Sequence, residues 1–228
     1  DQDEACYRQF YEEAISLCRQ KRFHEVLEKC RYTSLDDEEE YSIDVIQPEK
    51  IEFKQNSYED GENSIISFPE FLLLVLDVCT GGEQPASHYQ PDKLIEKFDA
   101  LKTYFTAGEF YEKMLYYRLL LDYYTIRRDI KDGQGNYSLI LKGPKDDSDK
   151  LKQYQSMLYV STEAFYNWLK PYLRKLEQDE LHSCAEMLAF LKKEDNERHS
   201  ILPARKDLSY KASGNIRYWF WRLDYYLW

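Results

Sequence analysis

Residues 109–130 carry the run FYEKMLYYRLLLDYYTIRRD, in which apolar and aromatic side chains surround nearly the whole circumference of a helix roughly 30 Å long. A helix that is apolar on every side cannot lie on a surface. It belongs at the centre of a domain, with other elements wrapped around it, and Gly133 and Gly135 end it. Two opposite charges, Arg118 and Asp122, stand one turn apart in its apolar middle, and buried charges persist only when paired and hydrogen bonded. The pair can be an active-site dyad or an internal salt bridge tying neighbouring helices. No second carboxylate or histidine joins it at catalytic spacing, which favours the salt bridge. Arg127, Arg128 and Lys131 are expected at the helix end, where they can contact phosphate or simply complement the macrodipole.

Around this element the period of the apolar residues predicts further helices. Residues 3–35 read as a hairpin of two helices (Tyr7, Phe10, Tyr11, Leu17, then Phe23, Val26, Leu27). Residues 36–66 lose the period. An acidic run from Asp36 to Glu40, Pro48 and an Asp60-Gly61 turn signal make them a connector, with one edge strand at most near Tyr41–Val45. The acidic run lacks the alternating ligands and turn glycine of a calcium loop. Ser67 caps a helix through Cys79 with Pro69 in its first turn, and Gly81-Gly82 ends it. Pro91 opens a helix expected to reach Phe105, with Gly108 separating it from the central one. Tyr137–Leu141 is the best strand candidate. Helices follow near 149–161, 162–177 and 179–194, then a loop from Asp195 to Ser213 and a closing helix from Asn215 to Trp228. The expected fold is mainly α, a helical bundle with minor β content and two irregular loops. It divides into an N-terminal hairpin plus connector (1–66) and a bundle domain (67–228).

Composition narrows the function. The chain has 31 basic and 42 acidic residues among 228, a net charge of -11, the wrong sign for holding a duplex mainly by phosphate neutralisation. Only a local basic patch remains for nucleic acid, from Arg127, Arg128 and Lys131 or from Arg205, Lys206 and Lys211 in the late loop, where solvated side chains serve equally well. Five cysteines without a CxxC pair fit neither a disulfide framework nor a zinc ribbon, and no apolar run is long enough to span a bilayer, so a cytoplasmic protein with reduced thiols is expected. The four histidines stand in no zinc-ligand spacing; His182 and Cys184, two apart, do not face each other on a helix. There is no GxxxxGK[ST] or GxSxG, and Gly133-Gln134-Gly135 is a turn rather than a dinucleotide fingerprint. No catalytic, metal or cofactor-binding residue is therefore assigned. With 21 tyrosines, many hydroxyls must find partners inside the core.

The closing helix, NIRYWFWRLDYYLW, is too aromatic to be buried on every face by one small bundle. Trp221 and Trp228 share a face with Asp224 and Tyr225, whereas Trp219 points elsewhere. At least one tryptophan is expected to be partly exposed, and Trp219, Trp221, Asp224 and Trp228 are the candidate docking residues. Because natural domains seldom stop inside an aromatic helix, the chain reads as a piece of a longer protein.

FPEFLLLVLDVC at 68–79, DKLIEKFD at 92–99, YYRLLLDYYTIRRD at 116–129, LKQYQSMLYVS at 151–161 and NIRYWFWRLDYYLW at 215–228 resemble, in order and spacing, the helical region of the GmrSD-like modification-dependent restriction endonucleases and their bacterial relatives. The resemblance covers residues 67–228, is weak before them, and rests on helix-packing patterns rather than chemical signatures. In that family an N-terminal ParB-like domain carries nucleotide-dependent chemistry and a C-terminal HNH domain is the presumed cutting unit. The resemblance implies that this chain lies between the two, with nucleotide and divalent metal held by the parent and none here. It places Arg118, Asp122, Arg127 and Arg128 in an RxxxDxYxIRR-like stretch, and Arg222 and Asp224 in the closing helix. The implied function is a non-catalytic scaffold that positions the flanking ParB-like and HNH domains in DNA restriction and anti-phage defence. Two alternatives stay open: a free-standing interaction module with a Tyr-rich surface, and a helical sensor that stacks aromatics on an extruded modified base.

Overall fold

A computed structural model describes residues 61–81, 84–130, 136–144, 148–161, 163–201 and 216–227, together with isolated positions 13, 16, 22 and 25. The expected N-terminal hairpin, the acidic run, the strand near Tyr41–Val45, the Gly133–Gly135 turn, Lys131, Arg205, Lys206, Lys211 and Trp228 lie outside the described residues.

The described residues form a mainly α fold with a small antiparallel sheet. In chain order the elements are β1 (Gly61–Ser64), α1 (Phe68–Cys79), two short 3₁₀ turns (Ala86–Tyr89 and Pro91–Lys93), α2 (Leu94–Leu101), α3 (Ala107–Tyr124), β2 (Ile126–Ile130), β3 (Tyr137–Leu141), α4 (Ser148–Val160), α5 (Phe165–Glu177), α6 (Cys184–Arg198) and α7 (Ile216–Leu227).

Local chemistry sets three of the helix starts. Ser67, Thr106 and Ser183 each accept from the backbone N–H three residues on, and Glu70, Glu109 and Glu186 reach back to the cap N–H, closing three capping boxes. Gly81 ends the first of these helices with φ of 64°, a left-handed conformation that glycine adopts without a steric penalty.

Several expected boundaries move. Leu101 ends α2, so Phe105 lies beyond it, and the Thr106 box places Gly108 inside the first turn of α3 instead of between helices. Asp179, at φ of 57°, takes the chain out of α5, and the box at Ser183 then starts α6 about five residues later than periodicity alone predicts. That helix runs on to Arg198, through the stretch expected to be loop from Asp195.

The central helix is also shorter than its sequence implies. Thr125 is extended (φ −119°, ψ 158°) and its hydroxyl donates back to the Leu121 carbonyl. Ile126 N–H, which would continue the helical ladder, donates instead to Gln155 Oε1 at 2.9 Å. Residues 126–130 become the middle strand of the order β1-β2-β3. Arg127 pairs with Ser64 on one side and Ile140 on the other, and Arg128 with Asn63 and Leu139. Thr125, Ile126 and Ile130 are β-branched, and two flanking strands satisfy both backbone edges, which outweighs continuation of the helix. Arg127 and Arg128 therefore do not sit at a helix C-terminus. β3 lies where the sequence placed it, whereas β1 occupies the expected Asp60-Gly61 turn. β1 pairs into this sheet, and Ile65 and Ile66 are buried in the main core.

In the core, α3 packs against α1 and α5, while α4 packs against the sheet, α6 and α7. The C-terminal half of α3, Tyr117 to Tyr124, is buried except where Arg118 reaches outward. A smaller cluster gathers Leu73, Leu76 and Tyr89 under Phe98, Phe105 and Tyr166. The buried phenols find acceptors: Tyr117 donates to Glu177 at 2.6 Å, Tyr172 to the Tyr124 carbonyl at 3.1 Å, and Tyr154 to Asp195 at 2.7 Å. Among the described residues no helix is long and apolar enough to cross a membrane.

Candidate functional site

A groove of about 540 Å³ runs between α4 and α7. From α4 it receives Asp149, Lys152, Gln153, Ser156, Met157 and Val160, one to two turns apart along one helix edge; from α7 it receives Trp221, Asp224 and Tyr225. The α7 residues follow from helical geometry, since positions 221, 224 and 225 share a face. Trp221 is 36% exposed. Asp149, Lys152 and Asp224 have no hydrogen-bond or ion-pair partner among the described residues, and the Trp221 ring has no aromatic or cation partner there. Concave lining with convergent polar groups that the fold itself leaves unengaged is the usual form of a binding site.

The wall behind the groove is held by an extensive polar cluster. Asp195, on α6, is fully buried. It accepts from the hydroxyls of Tyr154 on α4 and Tyr218 on α7, both at 2.7 Å, and from His199 Nδ1 at 3.1 Å, with Arg222 Nη1 3.6 Å away. His199 Nδ1 faces the Asp195 backbone carbonyl as well as its carboxylate, two acceptors, so the ring proton belongs on Nδ1. Nε2 points toward Glu163 at 3.7 Å. The imidazole stacks on Tyr218 at a centroid distance of 3.8 Å. Burial, and then hydrogen bonding to the Asp195 carboxylate, push both phenols well above the ordinary tyrosine range, which keeps them as donors. One carboxylate thus ties three helices together.

Cations lie on aromatic faces throughout this region. Arg222 sits 5.5 Å from the Trp219 ring, and Lys192 sits 5.3 Å from Tyr225 and 5.6 Å from Tyr154.

A second buried carboxylate, Asp77, accepts from Tyr89 and, at 2.8 Å, from Lys170. Beside it His88 Nε2 faces the Leu73 carbonyl at 3.0 Å, which makes that nitrogen the donor and leaves Nδ1 buried with no hydrogen-bond partner. Burial lowers the His88 pKa below the ordinary imidazole value.

The residues singled out by sequence fall in two places. Arg118 Nε donates to Asp122 Oδ2 at 2.8 Å within α3, with the arginine 39% exposed and the aspartate buried. Arg127, only 9% exposed, approaches the other carboxylate oxygen at 3.7 Å. Arg128 gives Nε and Nη2 to the Ser64 carbonyl at 3.1 and 2.8 Å, tying β2 to β1. These arginines thus have partners inside the fold. Trp221 and Asp224 line the groove, while Trp219 packs against the main core.

Sequence reading missed the Asp195 cluster because it ended α6 too early; the only available signal was the i, i+4 spacing of Asp195 and His199. Among the described residues no group of three or more His, Cys, Asp or Glu side chains could hold a metal ion. The Cys79 thiol is pushed up to about 11 by burial, and Cys184 faces the Pro144 carbonyl, neither a nucleophile's setting. Comparison of the chain with protein-family models, with curated proteins and with solved structures finds no match to any of them.

Proposed function

We propose that this chain is a helical scaffold whose closing helix docks a neighbouring domain, a reading suggested by its resemblance to the helical region of GmrSD-like restriction proteins. In this reading the chain positions ParB-like and HNH modules of the same protein, which bring the nucleotide-dependent and DNA-cutting chemistry to restriction of modified DNA. The observation that carries it is the two-sidedness of α7. Its inner face buries Tyr218 and packs Trp219 and Tyr225 on the core. Its outer face leaves Leu223 55% and Leu227 75% exposed, one turn apart on the same side. Clustered large apolar side chains on one helix face mark a surface that a partner covers. The buried charges support the same reading, because Asp77, Asp122 and Asp195 each engage partners that fix the packing.

Iodide quenching of tryptophan fluorescence tests it. The 228-residue chain is expected to be quenched more than the product of the complete reading frame, and Leu223→Asp with Leu227→Asp is expected to abolish restriction by that product while leaving the circular dichroism of the bundle intact. Equal quenching of both proteins, or full restriction by the double variant, would remove the docking role.

A further inference from the structure

We infer that the α4–α7 groove is a receptor for a cationic side chain, an arginine or lysine presented by a docking protein segment. Only the source of the cation rests on the docking reading above; the chemistry of the groove stands apart from it.

Aromatic rings in this part of the fold already hold cations: Arg222 lies over Tyr218, Trp219 and Tyr226, and Lys192 over Tyr154, Tyr225 and Tyr226. Trp221 lines the groove, 36% exposed and without a cation partner among the described residues, and indole is the strongest of the aromatic partners. Asp149 enters from the first turn of α4 and Asp224 from the turn of α7 next to Trp221, neither with an ion-pair partner among the described residues. Among the described residues the buried carboxylates Asp77, Asp122 and Asp195 are held by internal donors, whereas these two line an open groove.

A groove lined by an indole and two carboxylates complements a guanidinium or ammonium group, which can take cation–π contact and charge-assisted hydrogen bonds. The planar fork of arginine suits this lining better than a point charge, because it stacks and donates at once. Lys152 is the one opposing charge in the lining, and it sets the predicted sign of one test. A nucleotide fits less well, since its phosphate would meet two carboxylates and a single lysine.

The test is a titration of the 228-residue chain with N-acetyl-arginine N-methylamide, followed by the 15N–1H indole signals, with Trp221 assigned by its loss in Trp221→Leu. N-acetyl-glycine N-methylamide and dCMP serve as comparison probes. The expected result is a saturable shift of the Trp221 indole with the arginine probe alone. Asp149→Asn with Asp224→Asn should weaken it roughly tenfold, and Lys152→Met should tighten it. These are surface substitutions, and unchanged circular dichroism verifies the fold. An unmoved Trp221 signal, an equal shift with the glycine probe, stronger binding of dCMP, or an affinity indifferent to both aspartates would each overturn the assignment. Leu223→Asp with Leu227→Asp should leave this titration unchanged, so failure of the groove and failure of outer-face docking are separately visible.

Discussion

Removing the Asp195 carboxylate tests whether the α4–α6–α7 corner is held by a saturated acceptor or merely by apolar packing. In Asp195→Ala the Tyr154 and Tyr218 hydroxyls lose their acceptor while remaining in a buried corner. A buried donor left unsatisfied costs roughly 1–3 kcal/mol, so the two together cost about 4 kcal/mol. Arg222 adds little, since it also bonds Tyr218 and Asn196, and His199 retains the Asp195 backbone carbonyl as acceptor. Against a total stability of about 5–15 kcal/mol, that is enough to bring a domain near its unfolding threshold. Tyr154→Phe and Tyr218→Phe in the parent should each cost about 1 kcal/mol, the ordinary net worth of a hydrogen bond. In the Asp195→Ala background the same changes remove stranded donors, so the triple variant should be more stable than Asp195→Ala by about 2 kcal/mol. Urea unfolding followed by circular dichroism, at constant m, measures all of these. If the three substitutions prove additive within about 0.5 kcal/mol, the carboxylate is not the shared acceptor and the reasoning fails.

The other carboxylates give contrasting outcomes. Arg118→Ala should lower stability by only about 1 kcal/mol, because the arginine is 39% exposed and Arg127 still approaches Asp122, whereas Asp122→Ala removes the buried carboxylate that both arginines face and should cost about 3 kcal/mol; equal melting temperatures would refute the difference. Gly143→Ala should destabilise by about 1–3 kcal/mol or more in thermal melts, since the added Cβ would stand 2.4 Å from the Tyr123 carbonyl oxygen, a backbone atom that cannot swing aside. His88 supplies a pH dependence: burial holds its folded pKa below the ordinary value, so the unfolded chain takes up the proton first. Its contribution to stability is complete above about pH 6.5 and declines as pH falls through that value toward the lower folded pKa. His88→Gln should flatten the decline of stability below about pH 6.5; an unchanged slope would show that the ring is not buried as described.

How much of this was readable in advance follows from the range of each interaction. The mainly α fold, the Ser67 cap, the strand at Tyr137–Leu141 and the Arg118–Asp122 spacing all lie in stretches where cause and effect are a few residues apart. The Thr106 and Ser183 capping boxes were equally local, in TAGE and SCAE, and the boundaries set without them drifted accordingly. Residues 126–130 were different. They continue from an apolar helix, carry no apolar–polar alternation of their own, and only pairing with strands that begin at Gly61 and Tyr137 made them a sheet. The partners of Asp195, at separations of up to 41 residues, and the groove lining, brought together from α4 and α7, are likewise invisible to a periodic reading. Sequence by itself determined which segments prefer to be helical and where many of them start, because caps and i, i+4 contacts act within one turn. Tertiary structure alone decided which strand completes the sheet, which hydroxyls share a carboxylate and which charges are left facing a groove, because those outcomes depend on what packs opposite.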